Sequence, residues 1–238
     1  MIIVSWNCNM AFRKKISYIS QFKPDILIIQ ECENPELLEL NRFPYQVKDV
    51  LWFGSNNSKG IGIFSFSKYK LKLHEKYNEA FRYVIPISID GLHNLTLFAV
   101  WAMNDKVNPQ NAYIRQIWNA INYYEDEIGD NTIIAGDFNS NAIWDGYRRI
   151  GNHSDVVRFL KEKNIRSAYH YFFNKNQGQE SHPTFYMHRN EAKRYHIDYC
   201  FLSGELMNLT TKVIIGEYSD WISVSDHMPL VIELNLDL

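Results

Sequence analysis

Apolar residues fall in short dense runs along the chain, and polar side chains gather where those runs stop. Residues 2–4, 25–29 after the leading Asp25, and 132–135 are mostly apolar and largely β-branched, the make-up of strands buried on both faces. Residues 13–22 differ. Ile16, Ile19 and Phe22 recur there at helical spacing, and Pro24 ends the helix. A buried strand, a helix and a second buried strand predict helices laid on a sheet. Asn34-Pro35-Glu36 opens a further helix. Residues 45–50 and 60–67 read as strands joined by a flexible turn at 54–59. Lys68, Lys70 and Lys72 mark a solvated sheet edge. Runs 83–89 and 95–100 pair across Asp90-Gly91, a hairpin loosened by Leu92-His93-Asn94. The sheets are therefore expected to be mixed rather than all parallel.

The second half keeps this alternation. Ile114, Ile117, Trp118 and Ile121 share one face of a helix over 112–121. A second helix is expected over 155–163, with Ser154 as its N-cap. A polar loop spans 174–180, strands follow at 184–186 and 195–202, and a last strand ends at Leu234. No linker, charge block or internal repeat divides residues 1–238, which predicts a single domain.

Composition narrows the setting. Hydrophobic residues make up 46% and aromatics 15%, ample for a large core. No apolar run reaches the ~18 residues of a membrane span. Residues 1–10 are too short and too polar an opening for a secretory leader. Cys8, Cys32 and Cys200 lack zinc-site spacing and fit reduced, buried thiols, so a cytoplasmic location is expected. A net charge of -2 and a pI of about 6.4 disfavour a strong non-specific duplex binder. No obligate protein partner is indicated.

The candidate chemistry sits at strand ends. After 132–135 come Gly136, Asp137, Phe138 and Asn139. Asp137 can take a proton from a water that Asn139 orients, or both can serve a strand-ending turn. Glu31 closes an apolar run, where it can bind a hard cation or lend charge to a helix N-terminus. Asp198 lies inside an apolar strand and needs a partner, since a lone buried carboxylate costs several kcal/mol. His227, beside Asp226 in a turn, is the natural one, and the hydrogen bond would fix its tautomer. His196 shares a face with Asp198 by strand parity and is a candidate for the same cleft. Asn7 and Asn9 share a face at the end of the first strand.

Trp6-Asn7, Gln30-Glu31, Gly136-Asp137-Phe138-Asn139, His196-Ile197-Asp198-Tyr199 and Ser225-Asp226-His227 occur in that order across nearly the whole chain. In this the sequence resembles the endonuclease/exonuclease/phosphatase superfamily. The resemblance implies a four-layer α/β sandwich, with two mixed, mostly antiparallel sheets face to face and helices outside. It implies a phosphoesterase dependent on magnesium, with manganese as an alternative. Glu31 would bind the metal, helped by Asn7 and Asp226. Asp137 would activate water, Asn139 would position the water or the phosphate, and His227, held by Asp198, would contact the phosphate.

There are departures from the family pattern. Asn9 stands where several repair nucleases have Asp, which puts a second metal in doubt. Trp101 replaces a Tyr or His that touches the phosphate, Asn104 matches an Asn of the repair branch, and Tyr186 falls at a tryptophan beside its abasic-site pocket. Trp101, Asn104, Tyr186 and His196 are thus the expected substrate contacts. Nucleic acid is the expected substrate. The alternatives are a phosphomonoesterase, a small-molecule phosphodiesterase, or a non-catalytic binding module of the same fold.

Overall fold

The computed structural model describes residues 1–66, 68–91, 93–146 and 150–236. The strands in its first half are β1 (Ile2–Asn7), β2 (Ile26–Cys32), β3 (Asp49–Asn56), β4 (Lys59–Ser65), β5 (Lys70–Leu73), β6 (Val84–Asp90), β7 (Leu95–Trp101) and β8 (Thr132–Asp137). They continue with β9 (Ile165–Ser167), β10 (Phe185–Tyr186), β11 (Arg194–Tyr195), β12 (Asp198–Ser203), β13 (Thr210–Ile215) and β14 (Leu230–Leu234). The α-helices are α1 (Ile16–Ser20), α2 (Ile114–Tyr123), α3 (His153–Glu162), α4 (Ala168–Phe172), α5 (Gly204–Asn208) and α6 (Tyr218–Trp221).

Two six-stranded sheets form the body, in the orders β13-β14-β1-β2-β4-β3 and β5-β6-β7-β8-β12-β9, with β10-β11 a separate ribbon. Each large sheet has one parallel pair at its centre, β1/β2 and β7/β8, and antiparallel pairing elsewhere. The two sheets therefore repeat one pattern of strand directions, although the sequence carries no repeat. This is the expected α/β sandwich, mixed and mostly antiparallel.

Side-chain parity explains the unbroken apolar runs. In β8, Ile133 and Ala135 face the core between the sheets, while Ile134 faces the layer under α2 and α3. Leu97, Ala99 and Trp101 of β7 point inward, and Phe98 and Val100 outward. A strand covered on both faces needs apolar residues at every position. In β1, Asn7 points inward, so Trp6 points out, where its ring meets Trp221 of α6 at 5.1 Å and 74°. Among the described residues, no helix is long and apolar enough to cross a membrane.

Several local expectations shift. The helix over 13–22 is broken into a 3-10 turn at Phe12–Lys14 and the short α1, because Lys15 leaves helical geometry between them. The strand expected at 45–50 runs instead as β3, and the turn shrinks to two residues. The glycines there serve proximity rather than flexibility: a Cβ on Gly54 or Gly60 would lie 2.4 or 2.6 Å from the Trp52 ring. The strand ending at 67 stops at Ser65, and Ser67 lies outside the described residues, as does Leu92 of the β6–β7 connection. Asn152, not Ser154, caps α3, in a capping box with Asp155. Ser154 is drawn away by Asp145, which accepts its backbone N–H at 2.8 Å.

Gly136 is the tightest point of the second sheet. Its φ is +148°, and a Cβ would stand 1.9 Å from the Val100 carbonyl oxygen. Gly136→Ala must therefore push β8 from β7 immediately before Asp137. We expect a loss of about 3 kcal/mol or more in urea unfolding, the scale of strain at a special backbone site. A loss under about 1 kcal/mol would mean that the strands part at little cost.

Candidate active site

Parity along the strands carries the polar ends of the inward faces to one place. Asp137 ends β8, Asp198 starts β12, and the two are directly paired across the antiparallel register. From the other sheet, Asn7 at the end of β1 donates its carboxamide N–H to Asp137 Oδ2 at 3.0 Å. Asn139 folds back through a left-handed φ of 46°, so the Asp-x-Asn segment is a turn rather than an extended pair. Its backbone N–H reaches Asp137 Oδ1 at 2.9 Å, and its Nδ2 donates to Asp137 Oδ2 at 3.0 Å and the Ala102 carbonyl at 2.8 Å. Asp137 is fully buried and held by three N–H donors.

Two carboxylates facing each other in a buried sheet need a cation. His227 Nδ1 lies 2.9 Å from Asp198 Oδ2. The ring is fixed by its backbone: His227 N–H donates to Ser225 Oγ at 3.0 Å, Ser225 Oγ donates to the Asn7 carbonyl at 2.7 Å, and Trp6 Nε1 donates to the His227 carbonyl at 2.9 Å. Burial disfavours the charged ring, but Asp198 and Asp137 outweigh it and raise the His227 pKa to about 9. Burial, then repulsion from Asp198, lift Asp137 to about 7 against the pull of His227 and the Asn7 hydrogen bond. Ligand atoms of Asp137, Asp198 and His227 all lie within 4.8 Å of one another, so this group could hold a metal ion by distance. Hard divalent cations prefer oxygen donors, however, and here an imidazole already takes one carboxylate and amides the other.

Two further acids are neighbours of this centre along the strands and the chain: Glu31 follows Gln30, which pairs with Asn7, and Asp226 precedes His227. Glu31 is the extra residue of a β-bulge: Gln30 pairs with Ile61 and Cys32 with Gly60, which leaves Glu31 opposite neither. Its φ of 58° turns the side chain out of the ladder, where Lys59 Nζ meets Oε1 at 2.9 Å. Asp226 Oδ1 accepts from Asn9 Nδ2 at 2.7 Å. Asn9 begins three successive left-handed residues, with Met10 and Ala11. Lys15 steadies that loop by donating to the Cys8 and Asn9 carbonyls at 2.5 and 3.1 Å.

The expected substrate contacts divide. Trp101 pairs with Asp137 in register but is nearly covered, its ring packed on Tyr83 at 5.0 Å. Asn104 is exposed in the following loop. Tyr186 turns from the site and packs on Tyr218 at 4.6 Å. Its neighbour Phe185 fronts the centre instead, 4.6 Å from the His227 ring. Phe185 pairs with Tyr195, whose ring meets the half-exposed Trp144 at 5.1 Å. Phe185, Tyr195, Trp144 and Lys59 were not singled out from sequence, because only the paired ribbon and the bulge bring them in. Thr184 was missed too, although its Oγ1 accepts the N–H groups of Ile197 and Asp198 at 2.9 and 3.0 Å.

His196 does not join this group. The chain breaks strand geometry between β11 and β12, so parity with Asp198 fails. The ring is buried against Tyr169 at 4.4 Å, with Nδ1 2.8 Å from the His182 carbonyl. Burial pulls its pKa from 6.5 down to about 4. A neutral ring in the fold and a titrating ring in the unfolded chain make stability fall as pH drops from 6.5 towards 4. The loss is on the order of 3 kcal/mol and complete below the folded value. Asp137, raised to about 7, contributes with the opposite sign over the same range, so the His196 contribution is read as the difference in pH slope of urea unfolding between wild type and His196→Phe; equal slopes would place the titration elsewhere.

The Endonuclease/Exonuclease/phosphatase family profile matches residues 4–227. No curated protein matches the chain by sequence. Among solved structures, a 3'-5' exonuclease from Neisseria meningitidis superposes with TM-score 0.70 at 18% identity, covering 99% of this chain and 100% of that one. An AP endonuclease from Archaeoglobus fulgidus gives 0.65 at 18%, with the same coverage. An AP endonuclease from Leishmania major gives 0.70 at 12%, covering 98% and 87%. At such identities these likenesses speak for the fold, and the profile match speaks for descent: the chain belongs to the endonuclease/exonuclease/phosphatase family.

Proposed function

We propose that this protein is a magnesium-dependent phosphodiesterase that cleaves nucleic acid. One observation carries the reading: Asn7, Asp137, Asn139, Asp198 and His227 meet at one end of the inter-sheet cleft, although they lie far apart in the chain. Glu31, Asp226 and the Asn7 amide oxygen would hold the metal, an all-oxygen set that suits magnesium. When bound, the ion would supply Lewis-acid stabilisation of charge on the phosphate oxygens.

The chain's own groups would do the rest. Asp137, lifted to about 7, is basic enough to take a proton from water near neutral pH. Asn7 and Asn139 aim its carboxylate. His227, charged below about 9, points a donor at the phosphate while Asp198 holds the opposite ring nitrogen. Phe185, Tyr195 and Trp144 lead outward from His227, and such aromatic faces take sugars or bases in sequence-tolerant stacking. That wall favours nucleic acid over a small phosphoester. Solved structures of similar fold include an exonuclease and an AP endonuclease, which is in keeping with it.

The test is hydrolysis of bis-p-nitrophenyl phosphate, a supercoiled plasmid and a short RNA, each with magnesium, manganese or EDTA. Cleavage of a nucleic acid with either metal and none in EDTA is expected. No release from any of the three with magnesium shown to be bound would rule the reading out. Asp137→Ala and His227→Ala should each lower kcat by about 10²- to 10⁴-fold while the far-UV circular dichroism stays unchanged. Near wild-type rates would remove that residue from its role. Glu31→Gln should weaken magnesium binding on the order of 10- to 100-fold by calorimetry. An unshifted isotherm would strike it from the ligand set.

A further inference from the structure

Trp101, paired in register with Asp137, brings no charge of its own to the proposed site. Indole cannot accept a proton and offers one weak donor, so it does not replace a Tyr or His at a phosphate. Lys59 stands over that ring, with Nζ 5.3 Å from the Trp101 ring centre and 2.9 Å from Glu31 Oε1. An ammonium on the face of a residue so paired is therefore next to the strand end that carries the base.

The placement follows from two local devices. The bulge at Glu31 ends regular pairing at Cys32–Gly60, and Lys59 is the next residue along β4. The Trp52 ring fills the space that side chains on Gly54 and Gly60 would need, beside Lys59, which pairs with Asn56 across the irregular end of the β3–β4 ladder. The lysine side chain is 37% exposed, so it is not locked in the core. The Trp101 face gives it a second anchor, since an ammonium over an aromatic ring is attracted by the ring's quadrupole.

We propose that Lys59 is the cation that contacts a non-bridging oxygen of the substrate phosphate, and that it competes with the divalent ion for Glu31. This rests on the function assigned above. Two positive groups cannot both lie against one carboxylate without repelling each other. With Glu31 committed to a divalent ion, Lys59 would give up its ion pair and keep its place on the Trp101 face, from which its ammonium could reach the phosphate. The lysine thus supplies the charge that the indole lacks.

The test uses the full-length protein with Lys59→Met, which keeps the aliphatic stem, and Lys59→Arg, which keeps the charge. Magnesium calorimetry without substrate should show Lys59→Met binding about two- to fivefold more tightly than wild type, the scale of an exposed ion pair. The difference should shrink at high salt. On DNA or RNA, kcat/KM of Lys59→Met should fall about a hundredfold, and Lys59→Arg should recover most of it. Equal kcat/KM in wild type and Lys59→Met overturns the proposal, and so does a Lys59→Arg as impaired as Lys59→Met. Unchanged magnesium affinity in Lys59→Met removes the competition and overturns it as stated. A wild type that cleaves no phosphoester defeats the assigned function and the phosphate contact with it, an outcome distinct from equal cleavage by both proteins.

Discussion

The centre of this molecule is a conflict: two carboxylates, Asp137 and Asp198, placed opposite each other in a buried sheet. Left alone, they would repel at short range in a medium that screens poorly. The fold resolves this from three directions. The first sheet sends Asn7 across the cleft, the turn after β8 sends Asn139 back, and the turn before β14 inserts His227. Each donor comes from a different part of the chain, so the site exists only when both sheets and both turns are in place. The same constraint raises both Asp137 and His227 above their ordinary pKa values, the directions that the proposed base and phosphate donor would need.

Beside this centre lies a second buried polar network that is structural in character. Asn141 donates to the His196 carbonyl at 2.8 Å and to Glu180 at 3.1 Å, and His170 pairs with Glu180 at 2.9 Å. Burial opposes ionisation of Glu180, but hydrogen bonds from His170, Gly178 and Asn141 outweigh it and hold its pKa down at about 2. The network ties the loop after Asn139 to the start of β12. It thereby holds Asp137 and Asp198 in register without offering groups to the cleft. Two histidines, one two residues before Asp198 and one directly after Asp226, thus have opposite uses: His227 pairs with a buried carboxylate, whereas His196 stays neutral in the protein interior.

The two sheets share one order of strand directions, and each puts its parallel pair at the centre. The C-terminal ends of β1, β2, β7 and β8 consequently lie at one end of the sandwich. Asn7, Glu31, Trp101 and Asp137 occupy those ends. Ligands of α/β sheets gather outside the carboxyl ends of parallel strands for the same reason: adjacent chains diverge there, and side chains can converge.

Much of this was legible in the sequence. Unbroken apolar runs identify strands covered on both faces, and period-two parity assigns Asp137 to the same face as Ile133 and Ala135. The need of a buried Asp198 for a cation points to His227, because desolvation leaves few ways to keep a carboxylate inside a strand. Parity fails where strand geometry does, as at His196, at the bulged Glu31 and at the left-handed Asn139. Which aromatic fronts His227 depends on a ribbon that selects Phe185 over Tyr186. The meeting of Lys59 with Glu31 and Trp101 depends on three strands from two sheets. Burial and charge demand are properties of local composition, so the sequence alone determined the layers and the residues that must find partners. Long-range proximity comes only from packing, so the tertiary structure alone decided which partners they found.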